Sequence, residues 1–276
     1  DVDTDWQDLM FGPALMQNYA LSVKGGGKYS TYYNSVGYTN QDGVMKGTNY
    51  QRYTLQSKQD FKKGIFQAGT NVVLTYDQSN PLYSVIRGGM VGHTLQAIPT
   101  WEQYDENRTG GYGGLYGDVV NLTHPLGMVD DNLMKRYSDN VKIFANAYVS
   151  VELMKGLKYK LNLTPDFQFY RYNSYEGLFD FGLAKHDITA VTEQQTRTRN
   201  ILVENLLTFD RTFGDHKVSA LVGYTYQDSR YRYMQGSGQG MPTGITEIDA
   251  ASQGLAVSGN SSRSVLTSIL GRAFYS

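Results

Sequence analysis

The sequence predicts an all-β protein: a fragment of an antiparallel transmembrane β-barrel, about nine up-and-down strands forming a curved sheet with long extracellular loops. Three observations carry that expectation: a composition suited to strands and turns, period-two alternation of apolar residues, and connections that alternate between short and long. Tyr contributes 23 of the 276 residues and Gly 30, against 6 Pro and no Cys, a balance that favours pleated strands and tight turns over helices. The mean hydropathy is −0.44 and no apolar run approaches the roughly 18 residues a membrane helix needs. That excludes only helical spanning. A membrane barrel alternates lipid-facing and lumen-facing residues and has the mean hydropathy of a soluble protein.

The alternation can be followed strand by strand, because side chains in a strand point to opposite faces in turn. In 16–24, Tyr19, Leu21 and Val23 oppose Asn18, Ser22 and Lys24. In 28–40, Tyr32, Val36 and Tyr38 share a face, with Asn34 a polar exception on it. Segment 50–60 sets Tyr53 and Leu55 against Arg52, Gln56, Lys58 and Asp60, and 65–76 sets Phe66, Val72, Leu74 and Tyr76 against Gln67, Asn71 and Thr75. The longest patterns are 140–153, with Val141, Ile143, Val149 and Val151 against Lys142, Asn146 and Glu152, and 157–171, with Leu161, Leu163, Phe167 and Phe169 against Lys158, Lys160, Asn162 and Asp166. Pro165 falls on the apolar face of the latter. Since proline cannot donate to a ladder, a bulge is expected there. The remaining strands are 198–210, 216–228 and 264–275, the last with an ambiguous face.

Short links at 25–28, 61–64, 154–156 and 213–216 interleave with longer ones at 41–49, 78–138, 173–195 and 230–262. Outer-membrane barrels sort their connections in this way, with short periplasmic turns and long extracellular loops. A soluble β-sandwich has no such need, although a lectin-like jelly roll can gather long loops at one end. The stretch 78–138 is long for a compact soluble domain and is the expected place where ligand is met. Residues 1–276 are read as part of a single barrel domain.

With 25 basic and 26 acidic residues, a formal charge of −1 gives no electrostatic reason to expect nucleic acid. The absence of cysteine excludes disulfides and thiolate metal sites. The opening DVDTDWQDLMFGP lacks the basic start and apolar run of a secretory signal, and SILGRAFYS stops within an alternating pattern. Both ends are therefore expected to be truncations.

Residues 16–55 resemble the opening barrel hairpins of SusC/RagA-family TonB-dependent transporters. The resemblance rests on Gly25 and Gly26 at a strand end, Tyr32 and Tyr33, Gly37 and Tyr38 in the next strand, Asp42 and Gly43 in a loop, and Arg52 and Tyr53 beyond it. Residues 4–11, 213–227 and 268–276 resemble further segments of the family. This resemblance implies a 22-stranded barrel around an N-terminal plug, a periplasmic TonB-binding segment and a SusD-like lipoprotein lid. Those additional parts do not lie in these residues, which would supply strands two to ten. It further implies a bacterial outer-membrane location and energy-coupled import of oligosaccharides or peptides.

The aromatic groups Tyr170, Tyr172 and Tyr175, and Tyr231 and Tyr233, lie where strands meet long loops. They suit either an interfacial girdle or stacking on a ligand and are the candidate ligand-binding residues. The run 104–118 carries carboxylates, amides and glycines but no ordered calcium-loop spacing. It reads as a flexible or lid-contacting loop. His93, His124, His186 and His216 are isolated, without zinc spacing, and read as solvated loop or turn residues. Lys58, Asp60, Lys142, Glu152, Lys158, Lys160 and Asp166 are expected to hydrate the lumen or touch the plug. No catalytic, metal-binding or cofactor-binding motif is present, so the chain does not read as an enzyme. An extracellular glycan-binding or adhesin β-sandwich is the competing reading, and an outer-membrane enzyme the least supported.

Overall fold

The computed structural model describes residues 2–82, 89–115 and 122–276. Its long strands are β1 (Met16–Gly26), β2 (Ser30–Asp42), β3 (Asn49–Lys63), β4 (Phe66–Ser79), β5 (Met134–Met154) and β6 (Leu157–Glu176). A small hairpin of β7 (Phe179–Asp180) and β8 (Lys185–His186) follows, then β9 (Ala190–Phe213), β10 (His216–Gln239) and β11 (Gln253–Tyr275). The nine long strands pair antiparallel in sequence order in one open sheet with β1 and β11 at its edges. A sandwich needs two facing sheets, so the competing architecture is not the one formed.

Directly paired residues in an antiparallel sheet share a face, so the register separates two surfaces. One row runs Leu21, Val36, Leu55, Leu74, Ile143, Phe167. A row above it runs Tyr19, Tyr38, Tyr53, Tyr76, Val141, Phe169. Leu21 is 73% exposed and Ile269 83%, so no layer of the described residues covers this apolar face over most of its height; only near the long-loop rim does the chain segment 240–252 pack on it. The opposite face carries Lys58, Asp60, Asn71, Asn146, Tyr148, Asn162 and Glu204. There Asn162 donates to Glu204 Oε2 at 2.7 Å and Asn146 to Asn162 Oδ1 at 2.9 Å. Asn34 keeps company on the apolar face, since its partners are Val23 and Ser57.

The four short links lie at one rim. They turn at 27–29, 64–65, 155–156 and 214–215, and Gly64, Gly156 and Gly214 have φ of 60°, 87° and 59°, a region open to glycine without strain. At the other rim the strands outrun the sequence expectation. β9 begins at Ala190 and β10 ends at Gln239, well past the last apolar alternation, which shortens the loops to 177–189 and 240–252. Backbone pairing needs no apolar side chains. The hydrophobic period ends where a wall leaves lipid, while the ladder continues.

The bulge expected at Pro165 is absent. Pro165 pairs with Ile201 in unbroken register, and on the β5 side Phe144↔Asp166 and Ala147↔Leu163 keep one register with the two intervening positions unpaired. The ladder lapses without an inserted residue, and Asn146 donates to Thr164 Oγ1 at 2.8 Å across the gap. Register shifts occur instead at Glu152/Met154 and Ser237/Gln239, near the strand ends.

Above the long-loop rim the connections fold into a cap. It contains α1 (Trp6–Met10), started by Asp5 accepting from the N–H groups of Gln7 and Asp8, and α2 (Gly89–Gln96). Its core gathers Trp6, Met10, Met45, Met90, Trp101, Leu115, Leu126, Met128, Phe179 and Phe181 from four separate loops. A smaller core of Tyr175, Val191 and Met241 fixes loop 240–252 to the wall.

Candidate ligand-facing surface

The polar face and the cap are where this protein can meet a solute. Low on the polar face, Gln56, Lys58, Asp60, Asn71, Asn146, Tyr148 and Lys160 line a recess of about 530 Å³. Tyr148 donates to Asp60 Oδ1 at 2.7 Å and lies 4.4 Å below the Lys160 ammonium. The ring fits because Gly69 sits beneath it: a Cβ there would stand 2.5 Å from Tyr148 Cε1. Lys58 and Asp60 approach to 3.9 Å, Lys142 and Asp166 to 3.8 Å. The charges singled out in the sequence therefore share one face, and four of them pair on it.

Higher up, the register places four of the five candidate tyrosines on that same face. Tyr170 and Tyr233 both pair with Thr196, Tyr231 pairs with Thr198, and Tyr172 with Gln194. Two strand spacings, about 10 Å, separate the Tyr170 and Tyr172 pair from Tyr231 and Tyr233, with Thr196 and Thr198 on the strand between them. The apolar face has its own aromatic row in Tyr19, Tyr38, Tyr53 and Tyr76, with Tyr38 and Tyr53 rings 4.9 Å apart. Tyr175 leaves the set. An odd position puts it on the opposite face, where it is 1% exposed and its hydroxyl accepts from Gly244 N–H at 2.9 Å. It holds a loop in place.

The histidine expectation is half corrected. His93 and His124 are buried, at 1% and 0% exposure. His124 Nδ1 accepts from Gly127 N–H at 3.2 Å and Nε2 lies 3.2 Å from the Glu102 carbonyl, which fits a neutral ring. Trp6, Trp101, Tyr112 and Phe181 surround it with centroids at 4.9–5.6 Å. Burial pushes the His124 imidazole down to about 4, against a weaker upward pull from the Glu102 carbonyl, and pushes His93 down as well. His186 and His216 remain at the loop and turn, His186 Nδ1 at 2.8 Å from Gly177 O and His216 beside Tyr275.

The run 104–118 is a packed part of the cap over its described residues, not a flexible loop; 116–118 lie outside them. Arg108 binds Asp105 and Asp180, each at 3.1 Å. The Asp180 carboxyl is held below its usual range by Lys185 at 2.7 Å, then by the Gly182 N–H. Burial and the Asp130 carboxylate push the Tyr112 hydroxyl upward. Signals for this packing were faint in the sequence, because Asp180, which Arg108 binds, is 72 positions away.

No protein-family model matches the chain. TonB-dependent receptor P3 of Formosa agariphila is 30% identical over 238 residues, 82% of this chain and 23% of that protein. TonB-dependent receptor SusC of Bacteroides thetaiotaomicron is 26% identical over 153 residues, 55% of this chain and 15% of that protein. In three dimensions the RagAB peptide transporter superposes with a TM-score of 0.83 at 17% identity, over 99% of this chain and 31% of that one, which establishes a shared fold. The chain thus spans about a quarter of P3 and less of SusC. The chain is thus similar in sequence to TonB-dependent receptors, SusC among them, and shares the fold of the RagAB barrel, as a SusC/RagA-like fragment does.

Proposed function

We propose that this chain forms wall and extracellular loops of an outer-membrane barrel that imports a large nutrient, an oligosaccharide or a peptide, by TonB-dependent transport. The observation that carries the reading is the nine-stranded sheet with one uncovered apolar face, one hydrated face and all four short turns at a single rim. Such a wall is stable only with lipid outside and water inside. The named relatives support the transport class, and the RagAB peptide transporter supports a large solute.

In this reading the lower recess meets the plug, and its Lys–Asp pairs and amides hydrate the passage. The surface between Tyr170, Tyr172, Tyr231 and Tyr233 offers aromatic faces for sugar rings or peptide side chains, and the cap borders the mouth. A SusD-like lipoprotein is the proposed partner over these loops, with energy supplied through TonB to parts other than this wall.

Two measurements test the reading. In the intact receptor, Val149→Arg on the apolar face is expected to cost about 2–4 kcal/mol of folding into lipid, as for a cation near the bilayer midplane. Its neighbour Ser150→Arg faces the lumen and is expected to cost little. Equal costs in a lipid refolding titration would contradict the assignment of faces. For transport, Tyr170→Ala with Tyr233→Ala is expected to lower uptake of the receptor's glycan or peptide several-fold without changing its abundance in the membrane. Unchanged uptake across candidate solutes would remove these tyrosines from the route.

A further inference from the structure

The apolar face ends upward in a patch that import does not use. On β9, Arg197 and Arg199 continue the alternation of Ile201, Val203 and Leu207, and on β10 Arg230 and Arg232 continue that of Val222, Tyr224 and Tyr226. The register aligns them in two adjacent rows, Arg197–Arg232–Ser261 and Arg199–Arg230–Arg263. Five guanidinium groups therefore surround one recess of about 550 Å³, on the side of the sheet that faces lipid.

A single carboxylate lies among them. Asp228, one row lower, accepts from Arg230 at 3.1 and 3.2 Å and from Arg263 at 2.8 and 3.3 Å, with Arg199 Nη2 at 3.8 Å. Arg197 and Arg232 have no ion pair among the described residues, and the Arg199 Nε donor is buried without an acceptor. Five cations against one anion leave the patch short of negative charge. Asp228 fixes the forks of Arg230 and Arg263 and does not neutralise the group.

Height identifies what can supply that charge. Arg199 and Arg230 each stand fourteen positions from the ends of the 213–216 turn. At the rise and tilt of barrel strands this is roughly 33 Å above the rim, beyond an apolar band of about 25 Å. The patch thus lies at the level of lipid headgroups in the outer leaflet. Guanidinium forks match phosphate oxygens two at a time. We propose that Arg197, Arg199, Arg230, Arg232 and Arg263 form a site for the phosphate of a phosphorylated lipid headgroup. The proposal rests on the reading of the apolar face as lipid-facing.

The test uses the intact receptor in detergent, with bound lipid counted by native mass spectrometry. The probes are lipid A, its dephosphorylated counterpart and inorganic phosphate. Retention of the phosphorylated lipid alone is expected, and Arg197→Gln with Arg232→Gln should weaken it at least roughly tenfold. These two arginines hold no ion pair, and heat-modifiable mobility checks that the variant folds. A charge-matched pair on the opposite face, Arg52→Gln with Arg272→Gln, should leave retention unchanged. Equal retention by both double variants, equal binding of the dephosphorylated lipid, or displacement by inorganic phosphate at comparable concentration overturns the proposal. Flotation with zwitterionic vesicles tests the lipid-facing reading separately. A receptor that fails to float loses both readings, and one that floats without preferring the phosphorylated lipid loses only this one.

Discussion

Acidification from pH 7 to pH 4 is expected to loosen the cap while the strand wall stays intact. His124 is neutral and buried in the folded cap, with its imidazole near 4 against about 6.5 when unfolded. Above pH 6.5 neither state binds the proton and the cap has its full stability. Below that the unfolded cap takes up a proton that the folded one refuses. Stability then falls by about 1.4 kcal/mol per pH unit until the folded imidazole also titrates near pH 4. The total is about 3 kcal/mol for this one residue, and buried His93 acts in the same direction. Hydrogen exchange of residues 122–133 in the intact receptor, followed against pH, measures this. In His124→Gln the acid-dependent part should shrink to what His93 and, at the acid end, Asp180 supply. A profile as steep as wild type would show that His124 is not the group responsible.

The second large effect is expected from Trp101→Ala. Trp101 is 2% exposed, stacks edgewise on His124 at 4.9 Å and donates its indole N–H to the Gly113 carbonyl at 3.0 Å. Truncation leaves a cavity among Trp6, His124 and the cap methionines and strips a buried carbonyl of its donor. Such changes cost about 3–5 kcal/mol, comparable to what a small cluster of loops has to spare. The cap should open to protease within 89–115, while the wall keeps its heat-modifiable mobility, because the nine-strand ladder shares little core with the cap. Simultaneous loss of cap and wall would mean that the two are one cooperative unit. If uptake falls together with cap protection, the loops contribute to capture of the solute.

Both effects centre on residues whose importance was invisible in isolation. His124 carries no local motif, and its neighbours come from positions 6, 101, 112 and 181. Tyr175 looked like its companions Tyr170 and Tyr172, yet parity alone assigns it to the other face. The strand extensions were missed for a related reason. Residues 192–199 are all polar and 229–239 alternate Arg230 and Arg232 with Tyr231 and Tyr233 before a Gly- and Ser-rich end, so they offer no sustained apolar face even though their backbones pair without interruption.

What the sequence determined by itself was the wall: nine strand segments, the two faces of those with a clear apolar alternation, and the rim that holds the short turns. A period of two is a local property, readable wherever one face is apolar and the other wet. Only the tertiary structure decided which loops fold together as a cap, which histidines lose their water, and how far the strands climb. It also decided that five arginines from three strands, separated by up to 66 positions, share one recess above the apolar band. Those outcomes depend on register and on packing between distant segments, and neither is written in the spacing of neighbouring residues.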